Sequence, residues 1–176
     1  GLSIISRIPS DRFHDGMATA IDFTNHDHFA LDGQRLIKYS YSYGTETEYR
    51  TENNSFAKIL AKGKSSNPTS FTVYTKSGLI YDYVTVSKAL GKTETDSTLF
   101  WLVSKVSDTK GNYFTVTYGG DASTNDFYPS RIDYTGNATA ELSPYASIRL
   151  SYMSNPYSPV TYVNGVRVTR TRLLSS

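Results

Sequence analysis

The sequence contains no cysteine in its 176 residues. Disulfides and thiolate-bound metals are therefore excluded, while the redox compartment stays open. Charge is sparse as well: Asp, Glu, Lys and Arg make up 19% of the chain and sum to a net +2. The positive residues are scattered, which excludes the basic stripe a nucleic-acid binder needs to displace counterions. No apolar run approaches the roughly 20 residues of a membrane-spanning helix. Hydrophobic residues reach only 38%, with a single Trp, a share below the globular average. The opening GLSIISRIP has neither a starting Met nor a charged leader. It reads as the start of a piece of a longer protein, so the missing signal says nothing of the parent's export.

What fills the space is Tyr, Ser, Thr, Asn and Gly, including 15 Tyr and 12 Gly. Tyr and Thr suit a pleated, half-buried surface, where bulk packs on one side and the hydroxyl meets water. The composition points to an all-β chain. The stretch VSDTKGNYFTVTY carries the pattern best. Phe114, Val116 and Tyr118 fall on one strand face, with Tyr113, Thr115 and Thr117 on the other. Asp108-Thr109-Lys110-Gly111 before them fits a type I turn that Gly111 closes in the left-handed region. Thr75-Lys76-Ser77-Gly78 repeats the arrangement between FTVY and LIYDYVTV. Gly44, within YSYSYGTETEYRT, sits at a similar interval and suggests a third glycine-centred hairpin. Asn164-Gly165 is a strong two-residue hairpin signal.

Other elements are less distinct. Arg131 to Tyr134 reads as a short strand, and YASIRLSYM alternates with Ala146, Ile148 and Leu150 on one side. Loops are expected at KSSNPTS near Lys64, GGDASTND near Gly119 and SNPYSP near Ser154. SFAKILAK (residues 55–62) fits a strand or a short helix through Phe56, Ile59 and Leu60, and a strand is favoured. No composition shift marks a boundary. Residues 1–176 therefore read as one antiparallel, hairpin-rich β domain with little or no helix. A barrel, a sandwich and an openly curled sheet all satisfy the pattern.

Candidate chemistry is thin. His26 and His28 would face one way on a strand beside Asp22 and Asp27, the beginning of a metal site. A third ligand is lacking nearby, since only His14 remains, and a solvated loop explains the stretch equally. Glu46-Thr47-Glu48 is similar to the Glu-x-Glu element of arginine-specific ADP-ribosyltransferases, but their Ser-Thr-Ser segment is absent. A charged strand edge is the simpler reading. Arg170 and Arg172, in VRVTRTR with Arg167, would share the face of another charged edge. No Gly-x-Ser-x-Gly elbow occurs, and no particular carboxylate pair is brought together for glycoside hydrolysis. Tyr39, Tyr41 and Tyr43 would line one face of KYSYSYG and could stack on sugar rings, though alternating aromatics are also ordinary in half-buried strands. No catalytic residue, cofactor or metal is expected.

Six stretches follow one another in order: GLSIISRIP at Gly1, FALDGQRL at Phe29, TEYRTENNSFAKI at Thr47, FTVYTKSGLIYDY at Phe71, FWLVSKVSDTKGNYFTVTY at Phe100 and YPSRIDYTGN at Tyr128. Together they resemble the N-terminal conserved block of SpvB-type virulence proteins. The same block occurs in the B components of insecticidal toxin complexes and in related Rhs (YD-repeat) proteins. Asp-Thr-Lys-Gly-Asn-Tyr also resembles the YD-repeat turn. Family members often have Cys after the opening Ile-x-Arg element, where this chain has Ile8 and Pro9. The resemblance implies a segment of a large, secreted or surface-displayed bacterial toxin in which β-hairpins coil into a shell around a C-terminal effector. It implies a non-catalytic scaffold role, with the rest of the parent chain and other toxin-complex subunits as partners. Exposed strand edges would favour self-association. The alternative is a carbohydrate- or receptor-binding β-module.

Overall fold

The computed structural model describes residues 2–41, 46–85, 98–121 and 125–175. Eight strands follow one another as an antiparallel meander: β1 (Ile4–Ile8), β2 (His28–Leu31), β3 (Gln34–Tyr41), β4 (Glu46–Thr51), β5 (Lys58–Lys64), β6 (Asn67–Tyr74), β7 (Ile80–Thr85) and β8 (Phe100–Ser107). The meander closes on itself. Ile4, Ile5 and Ser6 of β1 stand opposite Leu102, Trp101 and Phe100 of β8. The result is a closed eight-stranded antiparallel barrel, and closure removes the edges that an open sheet would expose.

Alternation decides what fills it. Ile5, Phe29, Leu36, Tyr49, Ile59, Phe71, Val73, Tyr83, Trp101 and Val103 are buried together inside. An eight-stranded barrel is just wide enough for such side chains to fill. Phe29, Phe71 and Trp101 meet edge to face with ring centroids 5.1–5.5 Å apart, the arrangement favoured by their quadrupoles. The Trp101 indole N–H donates to the Pro68 carbonyl at 2.8 Å, so the one polar atom of that ring is satisfied. Pro68 itself stands opposite Gly63 at a register shift, where a missing ladder donor is tolerated.

β8 is the branch point. Its side away from β7 pairs first with β1, through residues 100–102, and then with β9 (Asn112–Asp121), through Lys105, Val106 and Ser107. From there β10 (Asp126–Asn137) and β11 (Ala146–Arg149) extend the sheet away from the barrel. Two ribbons complete the chain: β12 (Tyr152–Ser154) with β15 (Arg172–Leu174), and β13 (Val160–Val163) with β14 (Val166–Thr169). A second small core joins Phe23 and Leu99 with Ile21, Val163 and Val168. It packs the β13–β14 ribbon against the long β1–β2 connection, which also holds the single helical turn α1 (Arg12–Asp15).

The local turns match their sequence signals. Asp108 and Thr75 occupy equivalent positions: Asp108 N donates to Asn112 O and Thr75 N to Leu79 O, both at 2.9 Å. Gly111 and Gly78 close the two turns with φ of 88° and 84°. Asn164-Gly165 forms the two-residue hairpin, both residues at positive φ. Asp32-Gly33 forms another, between β2 and β3. Residues 58–62 of SFAKILAK are strand, the first part of β5, while residues 55–57 lie in the connection before it. The turn expected at Gly44 lies outside the described residues.

Several expectations are corrected. Arg131 to Tyr134 is the middle of the twelve-residue β10, which tolerates register shifts after Pro129 and Asp133. The expected loop at Gly119 is strand through Asp121, because Gly119 and Gly120 pair with Tyr128 and Phe127. KSSNPTS contracts to a two-residue turn at Ser65-Ser66, since Lys64 pairs with Asn67. Glu46 and Glu48 are not on an edge: β4 lies inside the barrel wall between β3 and β5. Arg170 and Arg172 do not share a strand, because the chain leaves β14 before Arg170 and starts β15 at Arg172.

Candidate functional site

The most polar buried constellation lies at the barrel end spanned by the β1–β2 connection. Arg7 follows Ile5 by two residues on β1, so alternation turns both inward. Ile5 enters the apolar core, while Arg7 reaches the rim. There its side chain is fully shielded from solvent beside the equally shielded Asp27, Nη1 to Oδ2 at 3.1 Å. Nε donates to the Thr98 carbonyl at 2.9 Å, and Nη2 to the Ser66 carbonyl at 2.8 Å and Asn67 Oδ1 at 2.9 Å. The guanidinium also lies 5.3–5.9 Å from the ring centroids of Phe23, Phe29 and Trp101. Asp27 is held in turn by the amides of Asp22 and Phe23 at 3.1 and 2.7 Å. A buried charge persists only when paired and hydrogen-bonded, and both partners here meet that condition. The pair joins β1, the β1–β2 connection, the β5–β6 turn and the approach to β8, and so locks this end of the barrel.

Beside the lock is a cavity of about 440 Å³. It is bounded by Asp27, His28, Phe29, Lys38, Tyr49 and Ser65. A shallower groove of about 530 Å³ runs outside the wall, between Ile4, Phe100 and Leu102 and the β13–β14 ribbon at Thr161 and Val168.

On the outer wall α1 is fastened by charge. Arg35 donates to Asp11 at 2.9 Å and to both oxygens of Asp15 at 2.8 Å. His14 places Nδ1 2.7 Å from Asp11 and Nε2 2.7 Å from Glu52. A neutral imidazole has one N–H, whereas two carboxylates each accept. This geometry therefore suits the imidazolium, and the bonds to Glu52 and Asp11 raise the His14 pKa above its ordinary value. His28 meets Asp15 at 3.0 Å, yet burial, with the Arg35 charge, lowers its pKa.

The residues expected to carry chemistry do not converge. His26 turns to Thr24 and Asp22 in its own turn, while His28 turns to Asp15 on α1. Among the described residues no group of three His, Cys, Asp or Glu comes together as a metal site requires. Glu46 faces Lys62 at 3.7 Å and Glu48 pairs with Arg50, so the two carboxylates are held by separate cations on the outer wall. Tyr39 is 69% exposed, and the Arg50 guanidinium lies 5.1 Å over its ring. Tyr39 is also the extra residue of a bulge, between Lys38 opposite Tyr49 and Ser40 opposite Glu48. The bulge breaks the two-residue period of the strand, and the backbone of Tyr41 pairs with Thr47. Tyr43 lies outside the described residues. Sequence reasoning missed Arg7 altogether. The available signal was an Arg in phase with an inward Ile in IISRI.

Fold and site together define a class: a closed, filled antiparallel barrel, locked at one end by a buried Arg–Asp pair and prolonged through one wall strand into a hairpin sheet. The backbone fold recurs in solved structures. The N-terminal domain of the effector protein SpvB from Salmonella typhimurium strain LT2 matches 99% of this chain with a TM-score of 0.70 at 16% identity. The Photorhabdus luminescens Tc holotoxin pore matches 98% with a TM-score of 0.71 at 14% identity, and the TcdB2-TccC3-Cdc42 crystal structure 99% with 0.67 at 14%. This chain spans 73% of the SpvB-domain chain but only 11% of each of the latter two. No family model and no characterised protein sequence matches it.

Proposed function

We propose that the chain is a non-catalytic structural segment of a large exported bacterial toxin of the SpvB or Rhs kind. In this reading it forms part of the β-shell or scaffold that houses or delivers an effector. The supporting observation is that the fold likeness covers 98–99% of the chain in both an effector protein and toxin-complex structures. Side chains fill the middle of the barrel, which suits a structural role, and the cavity beside Asp27 lies at its end. Its partners are then the remainder of the parent chain and other toxin subunits, outside the producing cell or at its surface. NAD hydrolysis tests the non-catalytic part. The chain should give no turnover above a protein-free control. Turnover that disappears in Glu48→Gln would make it an enzyme and sink the proposal.

The second reading, a carbohydrate-binding module, draws on the exposed Tyr39. Arg50 already occupies one face of that ring, which leaves one face for stacking. A glycan array decides it: specific binding lost in Tyr39→Ala favours the module, and a blank array favours the scaffold.

A further inference from the structure

β11 is the terminal strand of the main sheet, and among the described strands none pairs with its outer side. Leu150 donates its amide to Ser130 at 3.0 Å, toward β10. Alternation then directs the backbone groups of Ile148 to β10 as well, and those of Ser147 and Arg149 outward. Both of these residues are exposed. The strand carries no proline and no bulge, two of the usual guards of a free edge.

The side chains around it form rows that stop short. Val116, Ile132 and Ile148 stand side by side across β9, β10 and β11. Exposure climbs along the row: Val116 is 6% exposed, Ile132 is half-buried and Ile148 is 50% exposed. An apolar ladder that begins in a packed core thus ends in water. The adjacent row sets Arg131 opposite Arg149, although like charges directly opposite repel. Asp133, which binds Arg131 at 2.6 Å, stands opposite Ser147 in the next row.

We infer that β11 is a self-pairing edge, joining antiparallel to β11 of a second copy about a twofold axis at Ile148. In this register Ile148 meets its twin, and the apolar ladder runs unbroken from one Val116 to the other. Ser147 and Arg149 of one copy exchange backbone hydrogen bonds with Arg149 and Ser147 of the second. Each Arg149 then lies beside Ser147 of the second copy, with Asp133 one strand further on, so the basic row of one copy is continued by the row that carries a carboxylate in the other and no Arg faces an Arg across the contact. The surface complements itself, as a twofold contact must. The inference rests on this edge alone and does not depend on the scaffold role.

The absence of cysteine makes a clean test. Opposed non-hydrogen-bonded residues of an antiparallel pair have Cα atoms about 4.5 Å apart, within disulfide range. Under mild oxidation the Ile148→Cys chain should form a covalent dimer, and Ser147→Cys alone or Arg149→Cys alone should not. Mixing those last two should yield a crosslinked heterodimer. Sedimentation of the unaltered chain should show a monomer–dimer equilibrium. Ile148→Lys, which brings two ammonium groups together at the axis, should raise the dissociation constant by about tenfold or more, with an unchanged circular dichroism spectrum. A strict monomer at every concentration overturns the inference. So does equal crosslinking at all three positions, or a chain whose β11 is covered only by a strand from another polypeptide.

Discussion

At the scale of single residues, Arg7 and His14 put charge to opposite uses. Arg7 is buried with Asp27, and removing it leaves a carboxylate shielded from water with its cation gone. Arg7→Met should cost about 3–5 kcal/mol in urea unfolding. Arg7→Lys should recover only part of that, because an ammonium cannot reproduce the fork to Thr98, Ser66 and Asn67. His14 acts at the surface and through pH. Its folded pKa is raised, so its contribution is complete below the ordinary imidazole value of about 6.5 and fades as pH rises through the folded value. His28 has the opposite sign: its folded pKa is lowered, so stability falls as pH drops below about 6.5 and the unfolded chain takes up the proton first. His14→Gln should therefore destabilise more at about pH 5 than at about pH 8, and His28→Gln should do the reverse. Ring NMR titration should place the two pKa values on opposite sides of about 6.5.

Elements were read best where one residue type answers one backbone demand. Gly78 and Gly111 were legible because a left-handed residue closing a short turn is nearly always glycine. The structure then separates them. A Cβ at Gly78 would meet only the Thr109 methyl, at 3.5 Å, whereas one at Gly111 would collide with Thr139 Oγ1 and come within 2.9 Å of the Thr139 amide. Both alanine substitutions carry the left-handed penalty of about 1–2 kcal/mol. Gly111→Ala should cost clearly more than Gly78→Ala in equilibrium denaturation, because backbone must also move. The bulge at Tyr39 was illegible for the complementary reason. A bulge arises from how two strands line up, and neither strand's sequence states that register. The same limit hid the length of β10, whose ends are set by what β9 offers.

For the whole molecule, closure is the organising event. The interior shared by β1 to β8 holds the main buried cluster, while the β12–β15 and β13–β14 ribbons have two strands each and expose Met153, Tyr162, Leu173 and Leu174. Two-stranded ribbons are marginal without support. Hydrogen exchange should accordingly protect the amides of β5, β6 and β7 most, with the two ribbons exchanging orders of magnitude faster. Equal protection across barrel and ribbons would mean that the second core around Phe23 and Leu99 contributes more than its size suggests. The all-β class, the hairpin turns and the alternating faces were written in the sequence itself, because each depends on neighbours within a few residues. The tertiary structure alone decided that the meander closes, that β8 shares its outer side between β1 and β9, and that Arg7 meets Asp27. Those outcomes join residues as far apart as Ile5 and Trp101, and local propensity carries no information about which distant strand will arrive.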